Sequence, residues 1–290
     1  MRWSKGDRDN IDDERASSGG GIGGMGGGVQ LGLGGVVLLM VLSWATGTDF
    51  LSLLGNGGGG ASTSQSGQQS GELQTTADEE RLVDMVDAVA GDTQATWQQI
   101  LGSRYEMTKV VLFRDAMQSG CGAAESATGP FYCPSDHKVY LDLGFFKDLS
   151  SRFGAPGDFA QAYVVAHEFG HHIQNLLGTN DRVRAGSMGA NSGSVALELQ
   201  ADCYAGVWGH AASQSGRFSA GKVELDAGDA DEALRAASMI GDDRLQKMST
   251  GHVQPERFTH GSSAQRMEWF QRGIKTGDPK QCDTFASLTH

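Results

Sequence analysis

The sequence predicts an α+β domain, mainly helical with a small sheet, that follows an N-terminal single transmembrane helix. Three observations support this fold class. Apolar side chains recur at helical spacing in several segments beyond residue 78, two short segments have the pattern of strands, and one long apolar run lies near the start of the chain. The predicted domain covers residues 78–290, which is long enough to bury a core of its own.

The net charge of −12 and the cysteine count of 4 limit the possible functions. Nucleic-acid binding needs a clustered basic surface, so an acidic chain is not expected to have a nucleic acid as its partner. An even number of cysteines in an exported domain predicts two disulfides. Three connectivities are open; the short separation favours Cys121–Cys133, which leaves Cys203–Cys282.

The first 77 residues are predicted to hold the domain at a membrane. Residues 1–28 are polar and then glycine-rich, which predicts a disordered cytoplasmic segment. Residues 29–45 are apolar except for Gln30 and Ser43 and predict a signal anchor that crosses the lipid bilayer. Residues 46–77 predict a flexible Gly/Ser/Gln linker. Basic residues before the apolar run favour a single-pass protein of the cell membrane with its domain on the extracytoplasmic side.

Two other interpretations of residues 29–45 fit less well. A buried core helix would have folded sequence on both sides, whereas polar and glycine-rich sequence flanks this run. A cleaved signal peptide would use the small-x-small pattern of Ser43 and Ala45, but the polar region before the run is longer than signal peptides normally have.

Within the domain, the predicted elements are mostly helices. Apolar periodicity predicts a helix over residues 79–101, and an apolar run at 109–113 predicts a strand. Lys138–Leu143 alternates apolar and polar side chains, which predicts a half-exposed strand; a peptide could pair with it at a sheet edge, or it could be internal. Asp158 has the pattern of an N-cap for a helix over 159–177. Further helices are predicted over residues 195–212, near 230–248 and near 263–275.

The candidate metal site lies on two of these helices. His167 and His171 belong to an HExxH pattern, so one helical turn separates them and both imidazoles reach a single Zn²⁺. Glu168 would lie beside the open coordination position, where it takes a proton from the attacking water and returns it to the leaving amine. Glu198, on the next predicted helix, would complete the ligand set, and Asp202 would hydrogen-bond a ligand imidazole.

Two different metal sites and a surface helix fit the motif less well. The HExxHxxGxxH class of zinc site is excluded, because Gln174 and Leu177 stand where it needs glycine and histidine. A di-iron site needs a second Glu-x-x-His, which the sequence lacks. A polar stripe on an exposed helix is disfavoured because apolar residues surround the motif.

These motifs resemble those of gluzincins, and in particular of the bacterial neutral zinc metallopeptidase family of the YpfJ type. The resemblance is carried by the HExxH helix and by Gly129–Pro134, Gly154–Ala160, Glu198–Trp208 and Thr259–Arg266. It implies a zincin-like domain with one Zn²⁺ per chain on His167, His171 and Glu198, and with Glu168 as the general base.

The Thr-His…Arg segment is also similar to one that lines the active site of membrane-associated gluzincins. This similarity implies that His260 donates a hydrogen bond to the oxyanion and that Arg266 supports the site; the alternative is a surface histidine and an ordinary ion pair. The sequence thus predicts a membrane-tethered zinc endopeptidase that acts on peptides or proteins. A catalytically silent, zincin-fold peptide-binding or assembly module of the cell envelope is the alternative.

Overall fold

A computed structural model describes residues 1–17, 73–126, 129–184, 186–214 and 221–288. The helices in these ranges are α1 (Ala77–Leu101), α2 (Gly144–Ser151), α3 (Asp158–Leu176), α4 (Gly193–Ala212), α5 (Asp229–Met239), α6 (Asp242–Thr250) and α7 (Ser263–Thr276). The strands are β1 (Arg2–Trp3), β2 (Ile11–Asp13), β3 (Val110–Phe113), β4 (Ala116–Ser119), β5 (Gly122–Glu125), β6 (Phe131–Cys133), β7 (Lys138–Asp142) and β8 (Val223–Glu224).

Four strands form one mixed sheet in the order β2–β3–β7–β6. Val110 lies opposite both Ile11 and Val139 in two parallel pairings, whereas β6 runs antiparallel to β7. Of the two positions open for residues 138–143, the internal one is therefore correct, and β6 is an edge strand of the sheet.

The β4–β5 hairpin covers one face of this sheet. Ala124 of the hairpin is buried in a cluster with Phe113 and Tyr140. Tyr140 is consequently 4% exposed, so the predicted half-exposed strand is in fact buried over its three central residues. The alternating side chains of β7 are buried on both faces of the sheet: Val139 and Leu141 pack in the main core, and Tyr140 packs under the hairpin.

Helices α3 and α4 approach each other closely because small residues line their crossing. A methyl group on Gly170 of α3 would lie 2.9 Å from the Cα of Ala201 on α4. Gly206 permits the same closeness between α4 and α7, since a Cβ there would lie 2.3 Å from the Phe270 carbonyl oxygen. These contacts bring the HExxH turn of α3 against the Glu198–Asp202 turn of α4.

Residues 1–17 differ from the predicted disorder, because they are part of the domain. β2 extends the sheet beside β3, and β1 pairs with β8. The Arg15 side chain, which is 1% exposed, forms ion pairs with Asp13, Glu79 and Glu80. The polar composition that suggested disorder instead supplies charge partners for the first turn of α1.

The predicted fold class is therefore wrong about an N-terminal transmembrane helix in front of an independent domain. None of the helices that the structure describes is long and apolar enough to cross a membrane. Residues 29–45, the predicted span, and most of the predicted linker at 46–77 lie outside the described residues. The pairing of β2 with β3 also puts residues 1–17 on the same side of any membrane as the domain, which a single crossing between them does not allow.

The beginning of α3 also differs from its prediction. Asp158 is the first residue of the helix rather than its N-cap, which is Gly157. The carboxylate of Glu232, from α5, accepts a hydrogen bond from the Phe159 amide and takes over the capping role. A partner 73 residues away in the chain could not be inferred from a local pattern.

Both disulfides form with the predicted pairing. Cys121, in the turn between β4 and β5, is bonded to Cys133 at the end of β6. Cys203 on α4 is bonded to Cys282 near the C-terminus. The first bond ties the hairpin to the edge strand, and the second ties the chain end to α4.

Candidate metal centre

Three side chains from α3 and α4 converge on one point. One ligand atom from each of His167, His171 and Glu198 lies within 4.8 Å of the other two. The Nε2 atom of His167 is 3.2 Å from Glu198 Oε2, and Nε2 of His171 is 3.6 Å from Glu198 Oε1. Two imidazoles and a carboxylate suit zinc, with a fourth position left for water or substrate. These are the three ligands that the sequence predicts.

Both imidazoles are held from behind by hydrogen-bond acceptors. The Nδ1 atom of His167 is 2.8 Å from Asp202 Oδ1, and that of His171 is 2.9 Å from Gln174 Oε1. The Gln174 amide nitrogen donates to the Leu197 carbonyl at 2.7 Å, which fixes the orientation of the amide. Both Nδ1 atoms therefore carry the hydrogen, and both Nε2 lone pairs are directed at the shared point.

Gln174 was missed by the sequence analysis as a supporting residue. Its position three residues after His171 puts both on one helical face, and this spacing is the signal that could have identified it.

Asp202 is the centre of a fully buried polar network. Arg266 donates two hydrogen bonds of 2.9 Å to its carboxylate, and the Tyr163 hydroxyl donates another of 2.5 Å. Burial alone would raise the pKa of Asp202, but the charges of Arg266 and His167 lower it. Burial also disfavours the charged form of His167, yet the carboxylates of Asp202 and Glu198 oppose this effect and raise the pKa of His167. Arg266 thus supports the site through Asp202.

Glu168 lies next to this centre and is 7% exposed. It lines the cleft together with the three candidate ligands. Within the described part of the chain, its carboxylate makes no hydrogen bond and no ion pair. A buried carboxylate without a partner is available to accept a proton from a molecule in the cleft.

The cleft above these residues has a volume of about 620 Å³. One wall comes from the β4–β5 turn and the edge strand β6, and another comes from residues 186–198 and the region of α6. Much of the lining is apolar, and its large apolar side chains include Phe131, Phe145, Phe153, Val164, Ile240 and Leu245. The space and its lining are typical of a ligand site with a few polar groups at its base.

His260 also reaches the cleft, from the segment before α7. Its Nδ1 atom is 3.3 Å from Asp242 Oδ1 and 2.9 Å from the Thr259 hydroxyl. Asp242 Oδ2 accepts from the backbone N–H groups of Thr259, His260 and Gly261 at 2.7, 2.7 and 3.0 Å. Burial opposes protonation of His260, but the carboxylates of Glu198 and Asp242 raise its pKa. Asp242, which fixes this segment, was also missed by the sequence analysis.

Comparisons with known proteins agree with this geometry. The chain matches the family described as "Putative neutral zinc metallopeptidase" over residues 1–285. "Uncharacterized protein YpfJ" of Escherichia coli K12 is 44% identical over 98% of this chain and 99% of its own length. "Uncharacterized protein Rv2575" of Mycobacterium tuberculosis is 46% identical over 74% of this chain and 75% of its own length. No solved structure matches the chain.

The family match and the donor set confirm two of the predictions. The resemblance to this metallopeptidase family is correct, since the matched region includes both helices of the candidate metal site. The cofactor is zinc, in agreement with the His–His–Glu group, which is the one candidate metal cluster among the described residues.

Proposed function

The chain belongs to the neutral zinc metallopeptidase family, and from this premise we propose that it is a zinc-dependent endopeptidase that cleaves peptide bonds in proteins. The observation that carries the proposal is the unpartnered carboxylate of Glu168 beside the convergent His167, His171 and Glu198. A zinc site with a purely structural role is closed by four protein ligands, whereas this one offers three ligands and opens to a cleft.

Each side chain at the base of the cleft has a separate task in this proposal. His167, His171 and Glu198 would hold zinc, which when bound would supply Lewis acidity for the scissile carbonyl and for the attacking water. Glu168 accepts the proton of the attacking water and delivers it to the departing amine. His260, oriented by Asp242, donates a hydrogen bond to the carbonyl oxygen of the substrate as negative charge develops there.

The substrate is proposed to bind as an extended peptide along β6. The Val139 amide donates to the Lys109 carbonyl, so the peptide groups of Val139 face β3. Its antiparallel partner Tyr132 therefore directs its own N–H and C=O away from β7, toward the open edge of β6. A peptide that pairs there is held through its backbone, which permits many sequences.

The catalytically silent binding module receives less support. Such a module would be favoured by a cleft that the chain's own residues 114–134 fill. The described residues of that segment form a wall instead, and about 620 Å³ remains beside them. This volume lies in the usual range for ligand sites, so the blocked cleft that would favour the silent module is not found among the described residues.

An extracytoplasmic, oxidising compartment is proposed as the place of action. Disulfides persist in such compartments and are rare in the cytosol. Cys203–Cys282 links residues 79 apart in the chain, Cys121–Cys133 closes a shorter loop, and together they leave no free cysteine. The whole domain would thus be made and kept in the oxidised state.

The test uses the full chain, because residues 1–17 belong to the fold. Wild type and Glu168→Gln are purified under oxidising conditions, and zinc per chain and cleavage of casein are measured. We expect one zinc in both proteins and cleavage by the wild type alone. Zinc in both without cleavage by the wild type would favour the binding module, and equal cleavage by both would contradict the role of Glu168.

A further inference from the structure

We propose that His172 and Asn175 are positioning residues that hold the substrate-facing strand β6 through the hydroxyl group of Tyr132. They follow the HExxH motif on α3, and Tyr132 is the central residue of β6. The inference rests on the proposed function, since it concerns the strand on which the peptide would lie. The three side chains are called the edge clamp below.

The hydrogen bonds of the edge clamp have one consistent arrangement of protons. His172 Nε2 is 2.7 Å from the Glu106 carbonyl, which only accepts, so Nε2 carries the hydrogen. The Asn175 amide nitrogen donates to the Tyr132 oxygen at 3.1 Å. The Tyr132 hydroxyl then donates to the free lone pair of His172 Nδ1, also at 3.1 Å. Every polar atom of this contact is satisfied, and the hydroxyl position is fixed by two partners.

The opposite face of β6 is also held, but by different chemistry. Phe131 stacks on Tyr140 with ring centroids 5.1 Å apart, and Cys133 is bonded to Cys121. Side chains alternate along a strand, so Tyr132 is the residue of β6 that faces α3. A three-residue strand has few ladder hydrogen bonds of its own, and the edge clamp therefore determines its distance from α3.

The clamp and the peptide-binding groups belong to the same residue. The backbone N–H and C=O of Tyr132 face the open edge, while its hydroxyl is tied to the helix that carries His167, Glu168 and His171. The clamp thus links the strand that would bind the substrate to the helix that would perform the chemistry. Its loss would leave the peptide-binding groups of Tyr132 less well ordered and would therefore weaken binding of the peptide.

The experiment compares substitutions that remove one contact at a time. Tyr132→Phe removes the hydroxyl. His172→Gln keeps a donor for the Glu106 carbonyl but loses the acceptor for Tyr132, whereas His172→Asn keeps an acceptor close to Nδ1. Tyr105→Phe is the matched control, because its ring also packs against His172 but its hydroxyl donates to Gln94, away from β6.

With a casein-derived peptide as substrate, we expect Tyr132→Phe and His172→Gln to raise KM about fivefold to tenfold and to change kcat by less than about twofold, with zinc content unchanged. A peptide held equally in the ground state and the transition state gives this split. His172→Asn and Tyr105→Phe should keep KM near the wild-type value. The double variant Tyr132→Phe/His172→Gln should be no worse than either single variant, because both lose the same hydrogen bond.

Two results would overturn the edge clamp. One is an unchanged KM in Tyr132→Phe. The other is a KM that rises as much in Tyr105→Phe as in Tyr132→Phe, which would indicate that the packing around His172 is loosened in general. Failure of the proposed function is detected separately, by the Kd of the same fluorescently labelled peptide in a Glu168→Gln background. If the wild type does not cleave the peptide, but Tyr132→Phe in the Glu168→Gln background raises the Kd about fivefold or more, the peptidase proposal is wrong and the edge clamp is supported. An unchanged Kd in the same comparison refutes the edge clamp.

Discussion

Two Asp–His pairs serve one cleft, and their surroundings differ. The Asp202 carboxylate, behind His167, is completely buried and paired with Arg266. Asp242 is held by backbone N–H groups, and the side chain of its partner His260 is 34% exposed. In the proposed mechanism, the first arrangement fixes a zinc ligand and the second orients a hydrogen-bond donor toward the substrate. What surrounds the carboxylate therefore determines what the same pair of residue types does.

The largest effect is expected from Asp202→Asn. The substitution removes the charge that compensates the buried Arg266, and leaving a buried charge unpaired costs about 3 kcal/mol. It also weakens the group that orients His167, for which a loss of zinc affinity of about 10- to 100-fold is expected. Urea denaturation measures the first effect, and competition with a chelator measures the second.

Asp92→Asn is the matched control for this substitution. Asp92 is equally buried and accepts a hydrogen bond from Trp208 of α4, but it does not contact a candidate ligand. Its substitution should lower stability and leave zinc affinity unchanged. If both variants lost zinc to the same extent, the effect of Asp202 would be one of general stability.

A smaller effect is expected from Asp242→Asn. The amide still accepts backbone hydrogen bonds, but without the charge it orients His260 less well and no longer favours its protonation. We expect kcat/KM for casein cleavage to fall about tenfold with normal zinc content. Asp243→Asn, next in the chain and bonded to Ser263 instead, should retain full activity. Loss of zinc in Asp242→Asn would contradict the view that the Asp202–His167 pair acts on zinc binding and the Asp242–His260 pair does not.

Asp242 should also make the stability of the protein depend on pH in acid. Burial would raise the pKa of Asp242, but hydrogen bonds from His260 and the backbone lower it below its usual range. A carboxyl group with a lowered pKa in the folded state stabilises the protein above an unfolded value of about 3.9 and loses this contribution as the pH falls through the folded value. The free-energy difference between wild type and Asp242→Asn should therefore shrink below about pH 4. A difference independent of pH would refute this, as measured by urea unfolding of the metal-free proteins.

The smallest effect on the cleft is expected from Arg15→Ala. Arg15 is buried between Asp13 of β2 and the first turn of α1, and the carboxylates it pairs with are partly exposed, so its loss should lower the free energy of unfolding by about 1 to 2 kcal/mol. Zinc content and kcat should remain normal, because neither Asp–His pair involves this region. A fall in kcat at full occupancy of the folded state would indicate coupling between β2 and the cleft.

The predictable part of the site is the part fixed by helical spacing. His167, Glu168 and His171 lie within one turn, and Glu198 and Asp202 are one turn apart on a second helix, so a close crossing of two helices brings them together. Asp242 was not predictable, because it meets His260 across the break between α5 and α6, which the sequence does not indicate. The break occurs at Gly241, where a Cβ would lie 2.4 Å from the Ser263 nitrogen.

The N-terminal strand was missed for a different physical reason. β2 is three residues long and mostly polar, and it pairs with a strand about a hundred residues further along the chain. No local periodicity indicates such a pairing, because the contacts that hold it are made with distant residues. Ile11 packs against the core, and Arg15 forms ion pairs with Glu79 and Glu80 of α1. Likewise, the edge position of β6 follows from the sheet order, which no pattern within residues 131–133 encodes.

The position of β2 has a consequence for self-association. It covers β3, all four residues of which are buried, and β6 occupies the other edge of the same sheet. Exposed apolar strand edges recruit strands from neighbouring molecules. A protein shortened by its first 17 residues would present the edge of β3 to solvent, and we expect it to aggregate at concentrations where the intact protein remains monodisperse. The short, mostly polar strand β2 thus prevents other chains from pairing with the apolar strand β3, while β6, at the cleft, keeps an unpaired edge.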